Sequence, residues 1–393
     1  MKRKILVAFG TRPEAIKMAP VVRKLRTSSI LQPIVCVTAQ HRQMLDQVLD
    51  LFEIATDHDL DIMSPGQDLF DVTSRVLLGM RDVIREEKPD YMLVHGDTTT
   101  CLAAGLAAFY EQIPLGHVEA GLRTRDMSAP FPEEANRSLV APLCSLHFAP
   151  TARARDNLLA EARTPSTILV TGNTVIDALL WVRDKVNTHS VDAFGAHLGS
   201  ALIERALDRG RKLVLITGHR RENFGQGFTD LCGAIRLLAS RHADWDFVYP
   251  VHLNPNVQAP VRTILQGLDN VHLLAPMDYL PFVWLMDKCD LVLTDSGGVQ
   301  EEAPSLGKPV LVMRAVTERP EAVDAGTVRL VGTRQADIID GIETLLTDQR
   351  AYWQMARAIN PYGDGHAAER IVRALERHFT GAGEIVSFAA STS

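Results

Sequence analysis

The chain has 393 residues, 46% of them hydrophobic and 23% charged. That is the profile of a soluble globular protein too long for one ordinary core, so two domains are the default expectation. A formal net charge of -7 argues against nucleic acid or an anionic membrane as a partner, and any bound anion must be met by local positive charge. The five cysteines are scattered, with no C-x-x-C pair, so neither a zinc ribbon nor a disulfide framework is indicated. The apolar N-terminal run stops at Thr11-Arg12-Pro13-Glu14, too short for a signal peptide. No stretch approaches membrane-spanning length, and the expected location is cytoplasmic.

Short apolar runs alternate with longer helical patterns almost throughout, which predicts parallel α/β architecture. In the first half, strands are expected near 4–9, 33–38, 90–95, 114–118, 146–149 and 167–171, with helices at 41–52, 68–87 and 98–110 among others. In the second half, strands are expected near 212–217, 246–251, 270–274, 290–294, 309–313 and 327–331, with helices around 225–241, 278–288 and 335–347. Pro20, Pro142 and Pro304 are expected to break or begin helices. Residues 187–211 are polar and weakly patterned, and the domain change is placed there. The expected organisation is a Rossmann-like domain over 1–186 and a second over 187–365, with a helix at 366–380 packing back on the first and a flexible tail at 381–393. The two doubly wound sheets are expected to face a shared cleft, since ligands bind such sheets beyond the carboxyl ends of their strands.

The most informative stretch is Asp290-Leu-Val-Leu-Thr-Asp-Ser-Gly-Gly298. A buried strand runs into Ser296-Gly297-Gly298 and a helix start, where small residues and unpaired N–H groups suit a phosphate. Glu302 follows about one turn on, placed to accept from sugar hydroxyls. The first strand ends in Gly10-Thr11-Arg12-Pro13-Glu14-Ala15-Ile16-Lys17, putting two cations near another helix start. Neither G-x-G-x-x-G nor a P-loop occurs, so NAD binding and ATP hydrolysis lack their usual support.

Three further segments carry carboxylates: His95-Gly96-Asp97, His117-Val118-Glu119, and Pro132-Glu133-Glu134. Any one reads more simply as ordinary structure, Asp97 as a helix N-cap and Glu133 and Glu134 as a helix start. Together on one sheet rim they favour acid/base work. In the second half, Gly218-His219-Arg220-Arg221 and Val251-His252 follow strands, and Arg314 and Arg319 lie after another. These suit phosphate binding and charge stabilisation. No zinc-protease or cysteine-rich spacing appears, so neither metal nor other cofactor is expected.

A diphosphate cradle with several carboxylates suits a nucleotide-sugar enzyme, either a glycosyltransferase or an epimerase at the carbon beside the anomeric centre. That C–H is not acidic. Expelling the nucleotide first gives C1 oxocarbenium character and acidifies the C2 proton, which a base then removes. Reprotonation on the other face and return of the nucleotide complete the inversion.

The segments Phe9-Gly-Thr-Arg-Pro-Glu-Ala-Ile-Lys-Met-Ala-Pro20, Val94-His-Gly-Asp-Thr-Thr-Thr100, His117-Val-Glu-Ala-Gly-Leu-Arg-Thr124, Pro132-Glu-Glu-Ala-Asn-Arg137, Thr171-Gly-Asn-Thr-Val-Ile-Asp177, Gly218-His-Arg-Arg-Glu222 and Asp295-Ser-Gly-Gly298 resemble the non-hydrolysing UDP-N-acetylglucosamine 2-epimerases. The resemblance spans nearly the whole chain. It implies a glycosyltransferase-B-like fold, a homodimer, and reversible interconversion of UDP-GlcNAc and UDP-ManNAc through a 2-acetamidoglucal intermediate for surface polysaccharide synthesis. It makes Asp97, Glu119 and Glu133 the acid/base candidates, with His219 at the leaving group. It places Arg12, Lys17, Ser296, Gly297 and Gly298 at the diphosphate, Phe282 at the base, and Glu302 and Arg319 on the nucleoside side. Gln40, Gln43, Arg220 and His252 match a regulatory substrate site, and Gly66 and Met277 stand where some relatives carry Arg and Gln. The alternatives are a hydrolysing epimerase or glycosyltransferase on the same scaffold, and a non-catalytic nucleotide-sugar sensor, which would not need the carboxylates.

Overall fold

The computed structural model describes residues 1–39, 42–384 and 386–389. The chain divides into two compact units, Met1–Ala178 with the segment beginning at Tyr362, and Leu179–Pro361. Among the described residues no helix is long and apolar enough to cross a membrane.

The first unit holds strands β1 (Arg3–Phe9), β2 (Leu31–Val37), β3 (His58–Asp59), β4 (Tyr91–His95), β5 (Leu115–Val118), β6 (Leu146–Ala149) and β7 (Ile168–Val170). They form one parallel sheet in the order β3-β2-β1-β4-β5-β6-β7. Helices α1 (Arg12–Thr27), α2 (Arg42–Phe52), α3 (Leu69–Glu87), α4 (Thr99–Tyr110), α5 (Glu133–Val140) and α6 (Ala152–Ala160) follow in chain order, and α7 (Thr174–Val186) begins in this unit and passes into the second at Leu179. Residues Ile5–Phe9 are almost wholly buried, as a strand covered on both faces must be. Leu6, Ala8, Met92 and Val94 pack with Val76 and Met80 of α3 and Ala104 and Ala107 of α4. The strand order reverses at β1 and β4, so a crevice opens at their carboxyl ends.

The second unit repeats the plan with β8 (Lys212–Thr217), β9 (Trp245–Pro250), β10 (Val271–Leu274), β11 (Leu291–Thr294), β12 (Val310–Val312) and β13 (Val328–Leu330). Its parallel order is β10-β9-β8-β11-β12-β13. Here the reversal falls at β8 and β11, whose ends carry Gly218-His219-Arg220 and Asp295-Ser296-Gly297. The fold class is therefore the expected one, two doubly wound α/β units.

Every expected strand is present within a few residues of its predicted ends. β3 was not foreseen, because two polar residues make no apolar run. Pro20 corrects an expectation: it neither breaks nor begins a helix but lies inside α1. A proline there costs a backbone hydrogen bond, and two features offset the loss. Thr11 and Glu14 form a reciprocal capping box, and Met18, Ala19, Val21, Val22 and Leu25 are buried along the helix. Within the polar segment 187–211, Ser200–Leu207 is helical, with Leu202 and Ile203 buried.

The last helix, Ala367–Thr380, belongs to the first unit. Its opening N–H groups, from Ala367 and Ala368, donate to Asp177 at 3.2 and 2.8 Å. The Ser28 hydroxyl donates to Glu376 at 2.6 Å. Beyond the helix, the Phe388 N–H donates to the Val170 carbonyl at 2.8 Å on edge strand β7.

Candidate active site

In the first unit the carboxyl ends of β1, β4 and β5 gather the predicted groups. Gly10 ends β1 against Thr38 and Thr100, where any Cβ would clash with both hydroxyls. The Glu14 carboxylate is buried and accepts from the Gly10 and Thr11 N–H groups at 3.0 and 2.8 Å and from the Thr98 hydroxyl at 2.7 Å. Burial raises its pKa against those hydrogen bonds.

Glu119 stands just beyond β5 with a left-handed φ of 65°. That conformation costs a non-glycine residue about 1 kcal/mol, and such strain gathers at functional sites. Its carboxylate receives the Lys17 ammonium and the Asn173 side-chain amide at 2.7 Å. The His95 Nε2 lies 3.9 Å away. Among the described residues neither ring nitrogen of the buried His95 has a hydrogen-bond partner, and burial lowers its pKa to about 4. It is therefore a neutral imidazole at neutral pH.

Asp97, beyond β4, takes a different setting. Burial raises its pKa, with the Glu119 charge adding to the effect and Arg137 opposing it. The Arg137 guanidinium donates to Asp97 at 3.0 Å and to Glu134 at 2.6 Å. The Asn136 amide donates to the Asp97 carbonyl at 2.9 Å. Glu134 is buried and consumed in structure, also accepting from the Thr124 and Arg125 N–H groups at 3.0 and 2.9 Å. Glu133, one residue earlier at the start of α5, instead lines a cavity of about 820 Å³ with Asp97, Thr98, Thr11 and Gly66. The structure thus brings Asp97, Glu119 and Lys17 together and puts Asp97 and Glu133 on one cavity. Arg12 is the first residue of α1 and half-buried.

In the second unit, Ser296 precedes a six-residue helix, Gly297–Glu302. A Cβ built on Gly297 would point toward two guanidinium groups, Arg220 at 3.8 Å and Arg319 at 3.9 Å. A small loop facing two arginines suits an anion. Arg319 is held by Glu301, and the Thr317 hydroxyl donates to the Gln300 side-chain oxygen Oε1 at 2.7 Å. Glu318 is half-buried, which raises its pKa, but Arg220, Arg314 and Arg319 outweigh that and keep it low. His219 stacks against His252 with centroids 5.6 Å apart. Burial lowers the His219 pKa while the Asp295 charge opposes. Glu302 accepts from the Tyr279 hydroxyl, and Phe282 lies half-buried on the same helix, Tyr279–Lys288.

Of the regulatory candidates, Gln40 lies outside the described residues and Gln43 falls in α2. Arg220 and His252 flank His219, and the Arg220 guanidinium is 3.5 Å from Glu318. Sequence reasoning missed Asn173, Arg137, Glu14 and Tyr279. Two of them carried a local signal, Arg137 by its i,i+3 spacing from Glu134 on a helix and Glu14 by its capping-box spacing from Thr11. Among the described residues no group of His, Cys, Asp or Glu side chains is arranged to hold a metal ion.

Comparison with known proteins supplies the family. The family model for UDP-N-acetylglucosamine 2-epimerase matches residues 23–376. A UDP-N-acetylglucosamine 2-epimerase of Yersinia pestis is 60% identical over 376 residues, 95% of this chain and 99% of that protein. The crystal structure of the Neisseria meningitidis UDP-GlcNAc 2-epimerase bound to UDP-GlcNAc is 50% identical with a TM-score of 0.86, covering 95% of this chain and 100% of that one. A co-structure of the S. aureus protein MnaA with UDP is 45% identical with a TM-score of 0.86, over 98% of this chain and 100% of that one. Its two units are thus those of a glycosyltransferase-B-like fold, and the chain belongs to the UDP-N-acetylglucosamine 2-epimerase family of isomerases.

Proposed function

We propose that this protein interconverts UDP-GlcNAc and UDP-ManNAc by anti elimination of UDP and its re-addition. One observation carries the reading: two carboxylates at adjacent strand ends are tuned apart. Asp97 is pushed toward its protonated form by burial and by its neighbour, while Glu119 is paired with the Lys17 ammonium. Such a division suits one acid and one base acting on a single C–H. The Ser296 loop with Arg220 and Arg319 would take the diphosphate and stabilise it as it departs, with His219 beside the leaving group. Glu133, facing the cavity beside Asp97, is the third proton-handling candidate.

With the nucleotide gone, the sugar is a 2-acetamidoglucal. Reprotonation of C2 from the other face and return of UDP give the epimer, which would supply ManNAc units for surface polysaccharide. The test is incubation with UDP-GlcNAc alone, with products identified by NMR. UDP-ManNAc at a steady ratio supports the proposal. Free ManNAc with UDP, or no change without an acceptor, contradicts it.

A further inference from the structure

We propose that Asn173 is a positioning residue that fixes the Glu119 carboxylate and keeps it ionised. The inference rests on the reading above, in which Glu119 exchanges a proton with the sugar.

Asn173 sits in the turn between β7 and α7 and is only 2% exposed. Its amide orientation is set by its neighbours, because Oδ1 accepts the Val175 N–H at 3.2 Å. That leaves Nδ2 to donate to Glu119 Oε2 at 2.7 Å. The turn is itself anchored. The Asn173 N–H donates to the Tyr362 carbonyl at 2.6 Å, and a Cβ on Gly172 would stand 3.2 Å from Gly363 Cα. The amide therefore arrives at Glu119 from a fixed place.

Lys17 reaches the same oxygen, but the two donors differ in kind. An ammonium on a flexible stem supplies charge, whereas a locked amide supplies direction and cannot titrate. A hydrogen bond to the ionised form also lowers a carboxylate's pKa. Among the described residues, titratable groups facing Glu119 include Lys17 from α1, His95 and Asp97 around the end of β4, Cys101 from α4 and His117 from β5.

A purely structural Asn173 would only cap α7 through Oδ1. Asn173→Asp separates the two roles, because it keeps that acceptor and the side-chain shape while turning the donor into a second carboxylate oxygen. Two carboxylates so close share one proton. The variant should move the Glu119 ionisation to higher pH, read from its ¹³C carboxylate signal, assigned by its loss in Glu119→Gln. kcat should fall roughly a hundredfold, the scale of a disabled acid or base, with KM changed far less. Asn173→Ser, which keeps a capping oxygen but cannot reach Glu119, should also lower kcat at unchanged KM, and it serves if the aspartate variant does not fold. Wild-type kcat and an unmoved Glu119 ionisation in these variants overturn the proposal. If the wild-type protein does not epimerise at all, the reaction reading fails, and the carboxylate titration still decides on Asn173.

Discussion

Asp295 holds the His219 backbone by a hydrogen bond and faces its ring with a negative charge. Its Oδ2 accepts the His219 backbone N–H at 2.9 Å, and its Oδ1 stands 3.4 Å from the ring Nδ1. The same Oδ2 accepts the Arg220 N–H at 2.8 Å and the Asn223 amide at 3.2 Å. One buried carboxylate thus ties the turn after β8 to the loop after β11, so His219, Arg220 and the Ser296 loop form one rigid arrangement. Among the described residues Oδ1 makes no hydrogen bond, so Asp295 acts on the ring through its charge.

That relationship makes a prediction. The Asp295 charge raises the His219 pKa against burial, so Asp295→Asn should lower it further. An NMR titration of the His219 ring in the folded variant checks this. An unchanged or higher value would show that the carboxylate does not act on the ring.

The anion site is tested at Gly297. A valine there would fill the space faced by Arg220 and Arg319 and should abolish UDP binding without unfolding the protein, since its Cβ meets only the far ends of flexible side chains. Calorimetric titration with UDP gives the answer. Wild-type affinity in a folded Gly297→Val protein would move the diphosphate elsewhere.

Arg137 joins Asp97 to the buried Glu134. Arg137→Met removes the positive partner of two carboxylates and should cost about 3 kcal/mol in denaturant unfolding. It should also raise the Asp97 pKa, because Arg137 opposes the rise caused by burial. A loss below roughly 0.5 kcal/mol, the ordinary scatter of a surface substitution, would mean the bridge adds nothing to stability.

Acid stability follows from His95, His117 and His147, each buried and held by that burial to a pKa of about 4. Above the unfolded value of about 6.5 all three are neutral in both states, and their contribution is fully present. As pH falls from 6.5 toward 4 the unfolded chain binds protons that the folded chain refuses, so stability drops. The loss is at most ~3 kcal/mol for each of His95 and His117. Asp177 works the other way. Burial raises its pKa to about 6, so it favours folding as pH falls through 6. Glu14 and Asp97, which burial also raises, act in the same sense as Asp177, so the histidine share is read by comparison: in His147→Gln the midpoint of urea unfolding should fall less between pH 6.5 and 4 than in the wild type. An identical pH profile in the two proteins would contradict the assignment.

Much of this was legible in the sequence for a physical reason. Strands of a doubly wound sheet are buried on both faces, so β1 and β11 read as continuous apolar runs, and their chemistry-bearing residues follow directly. Asn173 was not legible as a partner of Glu119, because the pairing joins residues 54 apart that meet only through strand order. Nor could the sequence say which of two adjacent glutamates is consumed in structure. Glu134 pairs with Arg137 and two backbone N–H groups, whereas Glu133 lines the cavity, and only the direction in which α5 presents each side chain separates them. Pro20 misled because the caps and buried face that tolerate it lie outside the local pattern.

The three carboxylates are tested singly. Asp97→Asn, Glu119→Gln and Glu133→Gln should each slow epimerisation roughly 10²–10⁴-fold, the range for loss of a positioned acid or base. UDP binding should change much less. An effect confined to UDP affinity, with turnover at saturation intact, would remove that residue from proton transfer.

The most direct measurement is the fate of the hydrogen at C2. Turnover of UDP-GlcNAc in deuterium oxide, without added NAD or acceptor, should give UDP-ManNAc carrying deuterium at C2, because elimination hands that proton to the protein and re-addition draws one from solvent. Clean conversion with the original hydrogen retained at C2 would contradict the elimination mechanism.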